Sequence, residues 1–436
     1  MSARPIAILN ARLIDPATGR DEPGALLVQD GMIKSVLWGE PDPSPPAGAE
    51  IVEARGRVLA PGLIDGQVFT GEPGAEHRET ISSAALAAAA GGVTAMVIMP
   101  ETEPIIDDAA LVDFVKRRAR DTACVHVHPA AALTRGMRGE IMTEMGLLQE
   151  AGAVAFTDAT KTVLSALVMR RAMSYSTLFG ALISHHIEDQ TLAGGTSMNE
   201  GEWALRLGIS GAPRAAETIM LARDIELARI TGARYHAALV SCAESLALIA
   251  AAKDEGLAIS CGVGAHHLAL NENDIGTYRT YLKVRPPLRD EDDRRALVQG
   301  IADGIVDIVV SSHQPRAPEE KRLPFAEARD GCVGLETLLP VMLERVHSGE
   351  LTLLQALSAV TNRPASLFGL PGGTLAPGAP ADLVLIDLAQ PYVLRLADLH
   401  SKCRNSPFEN HKFQGRAILT YVSGVEASRT AGVLAA

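Results

Sequence analysis

Short apolar runs alternate with Ala/Leu-rich stretches of helical character through the middle of the chain: AMVIMP (95–100), VHVHP (125–129), AVAFTD (153–158), LISHH (182–186), YHAALVS (235–241), LAISC (257–261) and IVDIVVSSH (305–313). With the run 62–68 ahead of them they number eight. Strand followed by helix, repeated with right-handed crossovers, gives a parallel sheet, and eight such units close a barrel. Residues 1–60 have a different texture, with short strands at 6–10, 25–29, 32–38 and 51–53 broken by Asp30-Gly31 and a Pro-rich loop at 42–46. That texture returns after Gly369, where GGTLAPGAPADLVLIDL supplies a turn and then a buried strand at 383–387. The pattern predicts an α/β chain in two units: a (β/α)8 TIM-type barrel over 61–368, and a small β-sandwich domain built jointly by 1–60 and 369–436.

Composition narrows this picture. A chain of 436 residues can hold one large domain and a smaller one. Its 47% hydrophobic content with only 4% aromatic residues points to a core rich in Ala, Val and Leu. The net charge of −12 argues against nucleic acid or an anionic membrane as a partner, because both attract Lys/Arg-rich surfaces. Cys124, Cys242, Cys261, Cys332 and Cys403 are scattered without CxxC spacing, which suits a reducing compartment. The opening MSARPIAILNARL lacks the apolar core of a signal peptide, and no run reaches the ~20 apolar residues of a spanning helix. A cytoplasmic location is the expectation.

Chemistry in such barrels sits at the C-terminal ends of the strands. The segment PGLIDGQVFTGEPG (61–74) lies at the end of the first strand, and its frame is that of a cyclic amidohydrolase metal site, PGxIDxHVHxREPG. A strand alternates faces, so an i, i+2 pair of His can point inward together. Here those positions are Gln67 and Phe69, and Phe69 offers no donor to Zn²⁺. Further landmarks follow in order: AALAAAAGGVTAMVIMPETEP (84–104), AFTD (155–158), HIED (186–189), MNEG (198–201), RYHAALVS (234–241), HHLALNENDI (266–275), KVRPPLRDEDDRRAL (283–297), DGIVDIVVSSHQPR (303–316) and GCVGLET (331–337). Through them nearly the whole chain resembles the dihydroorotase family, in its form associated with aspartate carbamoyltransferase.

That resemblance implies a set of site positions, many of them altered. The carboxylate ligand of strand 4 matches Asp158, and the strand 5 ligand matches His186. The strand 6 His falls at Leu239, and the water-activating Asp of strand 8 falls at Ser312, followed by His313. Among substrate contacts, the Arg of REPG is Gly71, the Asn of MPNT is Glu101, the Asn of KVNPPLR is Arg285, and the final His of TDHAPH is Arg316. Two donors do not make a zinc site, since catalytic zinc uses three protein ligands and an open position. Asp158 and His186 are therefore expected to bond to each other or to buried water, with His313 a third ligand only in a rebuilt site. His126 and His128 form an HxH on strand 3 away from the family's ligand positions, and His266-His267 reads as a buried imidazole pair. Lys161 is expected on the surface, and Cys242 and Cys261 in the core.

The resemblance and these departures lead to one main expectation: a catalytically inactive, oligomeric subunit without cofactor that supports assembly of an aspartate carbamoyltransferase catalytic chain in pyrimidine biosynthesis. Candidate contact segments are 188–202 with Trp203, and 405–421 with Phe408, Phe413 and Tyr421, each of which fits packing against its own barrel equally well. One alternative is an active cyclic-amide hydrolase with a rebuilt site, holding Zn or no metal, in which Arg285 and Arg316 are new anion contacts. Another is a small-molecule-sensing subunit.

Overall fold

The structure is a computed structural model that describes residues 4–430. The extremes of the expected composite unit, 1–3 and 431–436, lie outside the described residues. The N-terminal segment forms β1 (Ile6–Asp15), β2 (Arg20–Gln29), β3 (Met32–Trp38), β4 (Glu50–Glu53) and β5 (Val58–Pro61). The barrel strands follow: β6 (Leu63–Val68), β7 (Val93–Ile98), β8 (His126–Pro129) and β9 (Leu182–His185). After a short parallel pair outside the barrel, β10 (Met198–Asn199) and β11 (Gly211–Ala212), come β12 (Arg234–Ala237), β13 (Ile259–Gly264) and β14 (Ile308–Val310). The chain then returns to the first unit as β15 (Leu383–Val393), β16 (Lys412–Val422) and β17 (Val425–Arg429).

Both chain ends build one eight-stranded sheet, ordered β17-β16-β15-β5-β1-β2-β3, with β4 paired to β1. β15 runs antiparallel to β5, with Leu383 opposite Pro61, so the chain enters and leaves the barrel on neighbouring strands. Leu13, Leu26, Leu59, Leu383 and Ile418 fill the core of this unit.

In the barrel, β6-β7-β8 and β9-β12-β13-β14 are two parallel sheets. Two seams join them. His313 bridges Val68 at one, and Phe156 bridges both Ala131 and Ile183 at the other. The AVAFTD run thus supplies the fourth stave through a short extended stretch rather than a regular strand, and the backbone leaves it at Ala159, where φ is +55°. β6 and β7 are buried at every position, as expected of parallel strands covered on both faces. The interior is filled by Ile64, Val97, Ala155, Leu182, Ile308 and Val310, with Phe368 entering beside Gly66. A Cβ at Gly66 would lie 2.8 Å from the Phe368 ring, so this stave needs a glycine.

In the segment 405–421 the aromatic residues face inward while Glu409, Asn410, Lys412 and Gln414 are exposed. Phe408, Phe413 and Tyr421 are buried, and Phe413 stacks on Tyr392 with ring centroids 5.8 Å apart. Trp203 packs against the cluster of Met198, Ala204 and Ile275. Phe408, Phe413 and Tyr421 thus pack in the chain's own core, one of the two arrangements the sequence left open, while Trp203 is partly buried.

Candidate active site at the mouth of the barrel

The pairing of β6 with β7 shifts between Asp65 and Val68, so strict alternation does not run through this stave, and Ile64 and Phe69 share the interior apolar cluster. Asp65 is fully buried, and one of its oxygens accepts the backbone N–H groups of Gln67 and Ser311, each at 3.2 Å. Burial raises its pKa to about 6, against the hydrogen bonds from Ser311 and Gln67. Phe69 is only 7% exposed and shares an apolar cluster with Met99, Met137, Ala159 and Leu239. These side chains continue the barrel's apolar core upward into the mouth. Gly71 has φ +72°, and a Cβ there would lie 2.8 Å from the carbonyl oxygen of Ala75. The next residue, Glu72, accepts the backbone N–H of Ile81 at 2.8 Å and pairs with Arg118 at 2.6 Å. The turn that replaces the family's Arg is thus built around a glycine and pinned beside it.

Asp158 is turned toward the third stave. Its two oxygens accept the backbone N–H of Thr134 at 2.8 Å and the Thr134 hydroxyl at 2.5 Å. Burial raises its pKa, opposed by these two bonds. The expected Asp158–His186 contact does not form, because Thr134 satisfies the carboxylate first. His186 Nε2 instead faces Glu188 at 3.6 Å, and Glu188 lies 3.4 Å from Arg285. Burial would raise Glu188, but the adjacent His186 and the charge of Arg285 hold it below the usual carboxylate range. Arg285 also donates to the Thr196 hydroxyl at 3.2 Å and the Ala193 carbonyl at 3.3 Å.

The neighbouring His185 points to the opposite face of β9, as alternation requires. Its Nδ1 meets Asp224 at 2.7 Å and its Nε2 accepts the Val163 N–H at 2.9 Å, while Tyr235 donates to the same Asp224 oxygen at 2.7 Å. This buried cluster ties the helix Ala215–Thr231 to the strands and takes no part in the mouth.

Leu239, after the sixth barrel strand, and Ser312, after the eighth, are buried, and Ser312 takes φ +50°. His313 is fully buried. Its Nδ1 accepts the Gly334 N–H at 3.2 Å, and its Nε2 lies 3.5 Å from Glu79, which is itself bound by Ser83 and Ser401. Glu101 accepts the Thr160 hydroxyl at 2.7 Å. Arg316 donates through Nε to the Asp330 carbonyl at 2.7 Å.

The remaining sequence candidates lie elsewhere. His126 bonds to Asp382 of the composite sheet at 3.2 Å, and burial pushes His128 down to about 4. His266 and His267 are buried, with His267 Nε2 at 3.0 Å from the Pro286 carbonyl. Lys161 is exposed, and Cys242 and Cys261 are buried. Sequence reasoning missed Thr134, Glu188 and Glu79, the partners that fix Asp158, His186 and His313. The signal for Glu188 was available, since HIED places an acid two residues after the His.

The descriptions of two family models match the chain: "Dihydro-orotase-like" over residues 56–245 and "Amidohydrolase family" over 341–427. The dihydroorotase of Anaplasma phagocytophilum (strain HZ) is 40% identical over 422 residues, covering 96% of this chain and 94% of that protein. That of Anaeromyxobacter sp. (strain K) is 42% identical over 419 residues, covering 96% of each. The chain belongs to the dihydroorotase-like amidohydrolases. Among solved structures, hydantoinases and dihydropyrimidinases share the fold. The L-hydantoinase of Arthrobacter aurescens superposes with TM-score 0.88 at 25% identity over 99% of this chain and 97% of its own. The dihydropyrimidinase of Brevibacillus agri NCHU1002 gives 0.84 at 21% identity over 98% and 95%.

These relatives overturn the expectation of an inactive assembly subunit. A barrel retained only for an outer face would be free to diverge elsewhere, yet identity of 40–42% runs through 96% of this dihydroorotase-like chain. The likenesses do not bear on the expected aspartate carbamoyltransferase partner.

Amidohydrolases of this kind are normally metal-dependent, and a zinc site needs at least three protein donors converging on one point. Among the described residues, no three His, Cys, Asp or Glu side chains are grouped so as to hold a metal ion. Thr134 closes Asp158, His186 and His313 face Glu188 and Glu79, and Phe69 and Leu239 place hydrocarbon where imidazoles stand in the family. The ligand set as arranged does not fit zinc.

Proposed function

We propose that this chain is a hydrolase of a cyclic amide, of the dihydroorotase type, in which side chains rather than a His-held metal handle the water. The observation that carries the reading is the likeness to dihydroorotases over 96% of the chain. The mouth supports it with one imidazole backed by a carboxylate, His186 facing Glu188 at 3.6 Å. An acid behind an imidazole orients the ring and favours the tautomer that leaves its other nitrogen free to accept a proton. In this reading His186 takes a proton from water as the water adds to the ring carbonyl. The C–N bond then breaks, and the proton passes to the departing ring nitrogen. Zinc would enter only after Asp158 left Thr134 and His186 left Glu188, and no step is routed through it.

The test is ring opening of L-dihydroorotate, and of the neutral rings hydantoin and dihydrouracil, by the purified chain. Turnover of at least one ring is expected, with a fall of about 10²-fold to 10⁴-fold in His186→Ala, the usual loss when a general base is removed. No turnover of any of these rings, with or without added zinc, would overturn the reading.

A further inference from the structure

A cavity of about 360 Å³ opens on the flank of the barrel, where the helices Ile81–Ala90 and Leu338–His347 meet β15, β16 and β17 of the composite sheet. Small-molecule sites of about 300–1,000 Å³ favour such junctions between domains. None of the mouth residues described above lines this cavity. Its walls include Ala90 and Gly91, where the first barrel helix ends ahead of β7, and Ser428 and Thr430 around the end of β17.

The charge of this lining runs against that of the chain. The whole sequence carries −12, yet Arg395, Arg416, Arg429 and His400 line the cavity against only Glu336 and Asp398. Glu336 is already engaged. It accepts the backbone N–H of His400 at 2.8 Å and lies 2.9 Å from His400 Nδ1, a bond that raises the His400 pKa. Arg429 holds Glu426 through Nε at 3.0 Å. Arg395 and Arg416 hold no acid: neither side chain makes a hydrogen bond or an ion pair among the described residues.

Arg416 is half-buried and is fixed by stacking instead. Its guanidinium lies over the Tyr392 ring, 4.8 Å from the centroid, and Tyr392 in turn stacks on Phe413. A cation–π contact uses the plane of the guanidinium and leaves its N–H edges unbonded. Such a fork takes phosphate oxygens in pairs, and its plane stacks on flat rings. Pro340, Leu394 and Leu399 add an apolar wall.

We propose that this cavity is a ligand site separate from the mouth, and that it takes a phosphate monoester on a flat heterocycle, as in a nucleoside monophosphate. A monoester carries about −1.5 to −2 at neutral pH, which suits two arginines without acids beside a histidine held protonated. The heterocycle suits the guanidinium plane of Arg416 and the apolar wall. Because barrel and composite sheet both contribute to the lining, the bound ligand ties one to the other.

Calorimetric titration of the full chain tests this, with uridine 5′-monophosphate and adenosine 5′-monophosphate, each beside its nucleoside, and with inorganic phosphate. At least one nucleotide is expected to bind about tenfold or more tightly than its nucleoside and than phosphate. Arg416→Gln should lower that affinity by about tenfold or more, the usual effect of losing a charge-assisted pair. Arg395→Gln should lower it less, and His186→Ala, at the mouth, should leave it unchanged. The proposal is overturned by no nucleotide binding at millimolar concentration, by nucleoside or phosphate binding as tightly as the nucleotide, or by undiminished affinity in Arg416→Gln. Loss of binding in His186→Ala also overturns it, because the nucleotide then sits at the mouth. If Arg416→Gln does not fold, the double variant Arg395→Gln with His400→Gln decides, since both side chains are exposed and unchanged affinity there is then fatal.

Discussion

The two sides of the barrel mouth are built on opposite principles. Toward strands 1 to 4, Phe69, Met99, Met137 and Ala159 extend the apolar interior, and Asp158 is closed by Thr134. Toward strands 5, 7 and 8 stand charged groups and an imidazole instead: buried His186 faces Glu188, Glu188 pairs with Arg285, and Arg316 donates to the Asp330 carbonyl. The difference teaches where function can persist after a ligand pair is lost. A residue whose neighbours are hydrocarbon becomes part of the core. One whose partners are acids and guanidinium groups keeps a proton to exchange or an anion to hold.

The sharpest way to break this comparison is to remove hydrocarbon from the closed side. Phe69→Ala should destabilise the chain by about 3–5 kcal/mol, the usual cost of emptying a buried Phe site, measured by denaturant unfolding. A loss below about 1 kcal/mol would show that Phe69 is a loose lid over a free cavity.

A second effect is set by pH. The Asp65 pKa is raised from 3.8 to about 6, so between these values the folded chain retains a proton that the unfolded chain has released. Its contribution therefore favours folding at low pH and declines as pH rises from about 4 through about 6, by about 3 kcal/mol in total at 1.36 kcal/mol per unit. Asp65→Asn can still accept the Gln67 and Ser311 N–H groups and should flatten this part of the stability–pH curve. An unchanged slope would locate the titration elsewhere.

The smallest expected effect comes from Thr134→Val. It takes a hydroxyl from Asp158 and an acceptor from the Gly139 N–H, and should cost about 1–3 kcal/mol. Zinc titrated into this variant should still fail to bind at stoichiometry, since freeing one carboxylate oxygen leaves Phe69 and Leu239 in place. Tight zinc binding would mean that the closed side is held shut by a single hydrogen bond.

The barrel was legible because eight apolar runs with helical stretches between them admit few other packings, and the two outer textures matched because β5 and β15 are hydrogen-bonded neighbours. The fourth run was legible as an apolar stretch but not as a bridging segment, since its path depends on Ala159 at positive φ. Which residues had lost their donors was readable at Gln67, Phe69 and Leu239, where chemistry alone decides. Where the surviving donors point was not. Asp158 is claimed by Thr134, 24 residues away, and His313 lies beside Glu79, contacts that only the closed barrel creates. The same holds for Arg316, whose Nε is taken by the Asp330 carbonyl and whose backbone N–H is taken by Asn405, 89 residues away.

Hydrolysis of a cyclic amide by His186 without a His-held metal can be tested directly. The measurement is the initial rate of L-dihydroorotate ring opening by the purified chain before and after exhaustive chelation, with residual zinc quantified in both samples. The account predicts turnover that is unchanged within about twofold on chelation and falls by about 10²-fold or more in His186→Ala. Activity that disappears with the metal and returns with zinc, or no ring opening in either sample, would contradict it.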